Sequence, residues 1–197
     1  MTKASSSDKG LTFLSSLRVR RLLPPLDLRR VLKIQADCDW QDPFTKREVM
    51  AHYKLHSPEE GRSYVQRMYV AADERDEAKG FISFTTGKGL LNVNAVCVPP
   101  QYQRKGVASL LLMRLLLSRN PQCTRPGLFC GVRASSLPAQ LLLKSVGIPC
   151  VGETKAAFSS PDENALVFLK WMDGQCPQQA REKVLELWSV SGGPRRS

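Results

Sequence analysis

Along the chain, apolar and polar positions alternate with two different periods. Residues 17–22 place Leu17, Val19 and Leu22 against Arg18, Arg20 and Arg21, the two-residue period of a half-exposed strand, and Pro24-Pro25 ends it. A helical spacing follows, with Leu28, Val31, Leu32 and Ile34 on one face and Asp27 placed to cap or charge its start. Residues 37–43 read as a loop, and 45–55 as a second helix with Thr45 near its N-cap. Residues 64–72 and 79–86 are strand-like and joined by the charged turn 73–77, and a third strand spans 90–98. Beyond an irregular link at 99–105, a leucine-rich helix is expected over 107–119, with burial on most of its sides. Strand 128–133, helix 137–145, strands 149–154 and 165–172, and an amphipathic helix 178–188 complete the pattern.

Strands in succession followed by strand and helix in alternation predict an α/β fold. Its central sheet is mixed and mostly antiparallel, with about six to seven strands and helices on both faces. With 197 residues, 42% hydrophobic and 24% charged, the chain is sized for one domain and is neither collagen-like nor wholly disordered. The expected organisation is a mobile segment at 1–16, a domain at 17–175, and a C-terminal helix with flexible tail at 176–197. The apolar run at 109–118 is broken by Arg114 and falls short of the about 20 residues that a membrane-spanning helix needs.

Six cysteines, at 38, 97, 123, 130, 150 and 176, include no CxxC pair, which argues against a zinc ribbon or finger and for mostly buried, reduced thiols. No secretory signal pattern opens the chain, so the expected compartment is cytoplasmic. Serines and basic residues between Lys3 and Arg30 resemble an organellar transit segment, against which stand Asp8 and Asp27. His52 and His56 are four apart on a predicted helix but lack a third ligand, and read as surface histidines rather than a metal site.

Charge is unevenly spread over a net +11. Residues 100–160 carry +7 and residues 34–80 carry −3, so the former stretch should attract a polyanion. Nucleic acid is disfavoured, because no aromatic stacking series, finger or helix-turn-helix pattern accompanies the charge. The informative segment runs from Asn94 to Ser109, where a strand ends, the chain turns through basic and glycine residues, and a helix begins. Backbone N–H groups at such a helix start suit a pyrophosphate. Gly106 and Ala108 would let the backbone approach closely, Arg104 and Lys105 add positive charge, and Ser109 can donate a further hydrogen bond. Neither a GxGxxG fingerprint nor a P-loop spacing is present.

The stretch Gln103-Arg104-Lys105-Gly106-Val107-Ala108 resembles the [Gln/Arg]-x-x-Gly-x-[Gly/Ala] signature of the GNAT acyltransferase superfamily. It sits between a strand ending Val96-Cys97-Val98 and a leucine-rich helix, as that family requires. A second block, Val132-Arg133-Ala134-Ser135-Ser136 through Ala139 to Gly147-Ile148, is similar to the family's Val-Arg-x-x-Asn block at the next strand and helix. The resemblance spans 17–172 and implies acetyl-CoA as cosubstrate, an amine acceptor, and direct transfer in a ternary complex. It also implies that the backbone of Val96, Cys97 and Val98 pairs with pantetheine and offers an oxyanion donor, that residues 104–109 hold the pyrophosphate, and that Cys97 and Ser136 are candidates to lie near the sulfur.

The chain departs from the protein-alanine acetyltransferase branch where that branch keeps its base and acid. Gly131 stands in place of a Glu and Leu143 in place of a Tyr, while Ser136 replaces the Asn and Ile148 the Phe. No catalytic residue is therefore assigned. Losing a positioned acid or base costs roughly 10²- to 10⁴-fold, which slows transfer without forbidding it. Asn92 and Asn94 are weak candidates to orient a water, Tyr102 reads as a packing residue, and Asp37, Asp39 and Asp42 are candidates to draw in a cationic amine. Three readings stay open: an N-acetyltransferase, a coenzyme A-binding pseudoenzyme, and a basic nucleic-acid-binding domain.

Overall fold

The computed structural model describes residues 13–24, 26–38, 44–54, 64–87, 90–117, 127–159, 162–172 and 178–191. Strands are β1 (Arg18–Arg21), β2 (Tyr64–Ala72), β3 (Ala78–Gly87), β4 (Leu90–Cys97), β5 (Gly127–Arg133), β6 (Cys150–Ser159) and β7 (Asp162–Trp171). Helices are α1 (Leu28–Asp37), α2 (Lys46–Lys54), α3 (Val107–Leu117), α4 (Leu137–Ser145) and α5 (Gln178–Ser191), with a 3₁₀ turn at Pro100–Tyr102. The seven strands are ordered β1-β2-β3-β4-β5-β7-β6. β1 pairs with β2, β5 with β7 and β6 with β7 in antiparallel fashion, whereas β4 pairs with β5 in parallel. The chain divides into two units, Met1–Thr85 with Ala95–Leu117, and Thr86–Asn94 with Ser118–Ser197, so that β4 contributes to both.

In the first unit, α1 and α2 cover one sheet face. Val31 and Ile34 of α1 meet Phe44 and Val49 at the start of α2, Met68 and Val70 of β2, Phe81 of β3, and Ala95 and Cys97 of β4. Leu28 and Leu32 pack at the edge of this cluster. The buried face of the helix also includes a polar residue: Gln35 donates to the Phe44 carbonyl at 3.2 Å and accepts from the Phe44 N–H at 2.7 Å. Those two bonds join α1 to the start of α2 and satisfy an amide that would be costly to bury unpaired. Thr45 begins α2 with a capping box, its hydroxyl accepting from the Glu48 N–H while Glu48 Oε2 accepts from the Thr45 N–H at 2.6 Å.

Asp27, by contrast, sits at the α1 N-cap without capping it. Its fully buried carboxylate instead receives Arg20 Nη1 at 2.6 Å, Arg20 Nη2 at 3.0 Å and the Leu23 N–H at 2.7 Å. The charged turn between β2 and β3 is closed by the Asp73 N–H on the Glu77 carbonyl, with Asp76 left-handed at φ 60°. Its acidic side chains are matched by cations: Asp76 by Arg18 and Arg20, and Asp73 and Glu77 by Lys79. Asp73, Asp76 and Glu77 of this turn are therefore matched by cations within the fold.

In the second unit, Phe129, Ala157, Ala165, Val167, Leu169 and Val184 form a core between β5, β6, β7 and α5. β6 runs on to Ser159 and β7 starts at Asp162, longer than the sequence pattern suggests, because register shifts at Cys150/Gly152 and Thr154/Phe158 interrupt the strict alternation. The expected burial of α3 on most sides is corrected. Val107, Leu111, Leu112 and Leu115 are buried, whereas Met113, Arg114 and Leu117 are exposed, so the leucine run hides one helix face. Among the described cysteines, Cys97 and Cys130 are buried, Cys38 is half-buried and Cys150 exposed, all as free thiols.

An acid dependence follows from these pairs. Hydrogen bonds from Arg20 and Arg18 hold the Asp76 carboxyl below its ordinary range, and hydrogen bonds from Ser135 and Arg133 do the same for Glu163. A group whose pKa is depressed by folding adds stability above its unfolded pKa, about 4, and loses it as pH falls through the folded value. Tm measured by calorimetry should accordingly hold between about pH 7 and 5 and fall below about pH 4. Asp76→Asn should lower Tm at pH 7 and flatten the acid limb; an unaltered acid limb in that variant would remove Asp76 from the account.

Candidate functional site

The segment singled out by sequence lies in the first unit, where β4 gives way to α3. Val98 and Pro99 leave the strand, Pro100–Tyr102 form one 3₁₀ turn, and residues 103–106 turn again before Val107 opens the helix. Gln103 Nε2 donates to the Val98 carbonyl at 2.9 Å, tying the loop to the end of the strand it has just left. The signature glutamine thus shapes the loop through its side chain. Arg104 adopts a left-handed φ of 60° and Gly106 one of 82°, which turn the chain sharply into the helix. Glycine populates that region freely, whereas a residue with a Cβ is strained there.

The first hydrogen bond of α3 runs from the Leu110 N–H to the Gly106 carbonyl at 2.9 Å. A helix's first N–H groups have no acceptor within the helix, and here they belong to residues 106–109. Together with the positive end of the helix dipole they suit an anion. Arg104 and Lys105 are exposed, Gly106, Ala108 and Ser109 are half-buried, and Val107 is buried beneath them. Lys105 is not free of neighbours: its Nζ lies 5.5 Å from the Phe13 ring centroid and 5.7 Å from that of Tyr102.

Close packing underlies the loop. A Cβ on Gly80 of β3 would lie 3.0 Å from the Cys97 carbonyl oxygen and 3.1 Å from side-chain atoms of Val98 and Val107, so glycine lets β3 approach the strand end. Cys38, at the end of α1, meets the same strand end. Its thiol is drawn below the ordinary value, first by a hydrogen bond with Cys97 and also by the Val98 backbone, against burial and the nearby Asp37. No spacing in the sequence announces this contact.

The second sequence block lies in the other unit. β4 pairs with β5 through Leu90↔Gly127, Leu91↔Leu128 and Asn92↔Phe129, so the register covers the first three residues of β4. Asn92 Nδ2 donates to Asn94 Oδ1 at 3.1 Å, and the buried Asn92 Oδ1 has no hydrogen-bond partner among the described residues. Ser136 is the α4 N-cap residue, its N–H donating to the Arg133 carbonyl, but its hydroxyl makes no cap bond. Gly131 offers no side chain on β5, and Leu143 is buried in the body of the fold. Glu163, which the sequence reading passed over, accepts from the Ser135 N–H at 2.5 Å and from Arg133 Nη1 at 3.3 Å. Held so firmly as an anion, it is poorly suited to take a proton near neutral pH.

Asp37 is exposed at the end of α1, while Asp39 and Asp42 lie outside the described residues, as does His56. No group of three or more metal-binding side chains occurs among the described residues, and no helix among them is long and apolar enough to cross a membrane.

Comparison with known proteins places this geometry in a family. The model of the acetyltransferase (GNAT) domain matches residues 41–139. No curated protein matches the chain by sequence. Among solved structures, NAA60 of Arabidopsis thaliana, determined with a bisubstrate analogue, aligns with a TM-score of 0.65 at 17% identity over 81% of this chain and 99% of its own. The ribosomal-protein-S18-alanine N-acetyltransferase of Escherichia coli aligns at 0.61 and 17% over 82% and 97%, and the spermidine/spermine N-acetyltransferase SpeG of Vibrio cholerae at 0.62 and 18% over 81% and 95%. At such identities these structures are evidence of the shared fold. The domain match, which takes in the β4 to α3 loop and covers half of the chain, identifies this protein as a member of the GNAT acetyltransferase family.

Proposed function

We propose that the protein is an acetyl-CoA-dependent N-acetyltransferase that acts on a primary amine, whether a protein N-terminus, a lysine or a small amine. The observation that carries the proposal is the loop at 103–109. Gln103 fastens it to the Val98 carbonyl, and left-handed Arg104 and Gly106 feed it into the N-terminus of α3. Residues 104–109 would hold the pyrophosphate through backbone N–H groups and the Arg104 and Lys105 charges. Backbone groups of Val96 to Val98 would receive the pantetheine amides. The bound cosubstrate supplies an acetyl group activated as a thioester. Transfer joins the neutral amine nitrogen to the acetyl carbon, breaks the carbon–sulfur bond and leaves a thiolate, and the amine's surplus proton passes to water. A thiol like cysteine's, with a pKa near 8.5, leaves without an obligatory acid.

Kinship in fold supports the donor and the reaction class. NAA60 has also been determined with acetyl-CoA, at the same TM-score of 0.65. The neighbours' acceptors, a ribosomal protein's alanine and polyamines, span both protein and small-molecule amines, so acceptor choice is open to a panel. A second reading, a coenzyme A-binding pseudoenzyme, is favoured by one observation: Gly131 and the buried Leu143 supply neither base nor acid.

Titration calorimetry with acetyl-CoA, followed by a thiol-release assay over peptides and small amines, separates the readings. Binding with release is the expected result and identifies the acceptor class. Binding without release across the panel favours the pseudoenzyme, and absence of binding overturns the assignment of the loop.

A further inference from the structure

The loop at 103–109 is poorly equipped to hold itself in place. Two of its residues are left-handed, one of them a non-glycine, and Gln103 supplies one side-chain anchor. A second anchor comes from a segment that precedes β1 and that sequence alone marks as mobile. Residues 13–15 form a helical turn, closed by the Ser16 N–H and hydroxyl on the Phe13 carbonyl at 3.3 and 2.8 Å and by the Leu17 N–H on the Leu14 carbonyl at 3.1 Å. β1 begins immediately afterwards at Arg18 and pairs with β2, so the turn is fixed to the sheet.

Two side chains of this turn grip the loop. Leu14 Cδ1 lies 2.7 Å from where a Cβ on Gly106 would stand, filling the room that glycine leaves. Phe13 stacks on Tyr102, with centroids 5.7 Å apart and ring planes 3° from parallel. Lys105 lies over both rings. Tyr102 is held in turn by Lys79, whose Nζ is 5.4 Å from the ring centroid and which is itself anchored by Asp73 at 2.8 Å and Glu77 at 2.9 Å. Contacts therefore run from the turn through Phe13 and Tyr102 to the β2–β3 turn, with the loop between them.

We propose that Phe13 and Leu14 are positioning residues for the acetyl-CoA loop, fixing residues 102–106 in the binding conformation before the cosubstrate arrives. The proposal rests on the reading of this loop as the cosubstrate site. Ordering a loop in advance removes that cost from binding, and the gain is seen in affinity.

The test uses the full chain with Phe13→Leu, Leu14→Ala, the double substitution, and Phe13→Tyr as a conservative control, read by titration calorimetry with acetyl-CoA and by Tm. The double variant should bind roughly five- to twenty-fold more weakly, the scale of a lost aromatic pair and cation–π contact. Phe13→Tyr, which keeps the stacked ring, should restore most of the affinity lost in Phe13→Leu. If release activity is present, KM for acetyl-CoA should rise by the same factor with kcat within about twofold. A purely structural turn would lower Tm and leave Kd unchanged, and a turn that plugs the site would give tighter binding; either result overturns the proposal. Should Phe13→Leu alone remain folded, its Kd decides the matter by itself. Gly106→Glu keeps the two readings apart: if it too binds acetyl-CoA normally, the assignment of the loop has failed rather than the role of the turn.

Discussion

Gly106→Glu is expected to abolish acetyl-CoA binding, raising Kd by at least about 100-fold, while the protein remains folded. Two effects combine. Gly106 has φ 82°, where any side chain is strained by about 1–2 kcal/mol, and the new Cβ would press on Leu14. The contacting atom is the end of a flexible side chain, so Leu14 can move aside and the fold need not fail. The larger effect is the carboxylate, which would stand at the helix start proposed to hold the pyrophosphate and repel it in a partly desolvated site. Gly106→Ala separates the two, since it carries the backbone strain without the charge, and should weaken binding by about tenfold. Titration calorimetry gives both values, and melting should show Tm lower by about 2–8 °C for each variant. A folded Gly106→Glu protein that binds acetyl-CoA with native affinity would dismiss residues 104–109 as the pyrophosphate site.

Why the turn into α3 was legible while its support was not follows from what each depends on. The Gln103 to Ala108 signature is local, because it encodes a turn and a helix start made by consecutive residues. Most of the strands and helices among the described residues are likewise periodic or punctuated patterns that short windows contain, β6 and the start of β7 being the exceptions where register shifts break the alternation. The contacts that hold the loop join residues far apart in sequence, Phe13 with Tyr102, Cys38 with Cys97, and Lys79 with Tyr102, and carry no spacing signal. The burial of Gln35 and Asp27 escapes sequence reading for a related reason. Their polarity argues for the surface or a cap, yet each is buried because partners elsewhere satisfy it completely. The leucine run of α3 shows the opposite failure, since apolar residues such as Leu117 have no obligation to be inside. Catalysis is the least legible part: Gly131 and Leu143 record what is missing from the family pattern but point to no substitute.

Asp27→Ala should be strongly destabilising. The carboxylate is inaccessible to water and receives two hydrogen bonds from Arg20 and one from the Leu23 N–H. Arg20 in turn reaches Asp76 at 2.8 Å and lies largely out of solvent, and its guanidinium is held more firmly protonated than usual, first by Asp27 and then, against burial, by Asp76. Asp27 therefore joins β1 to the start of α1 and, through Arg20, to the β2–β3 turn. Removing it leaves a largely buried guanidinium with one carboxylate and strands a backbone N–H, a loss on the scale of about 3–5 kcal/mol. Tm should fall by roughly 6–15 °C for a chain of this size. Arg20→Ala should cost no less, since it strands the fully buried carboxylate. The double variant should fall short of the sum of the two losses, because the penalty of an unpaired charge vanishes when both partners go. Denaturant melts of the four proteins in this cycle measure the coupling directly, and strictly additive losses would mean that the pair contributes nothing beyond its separate parts.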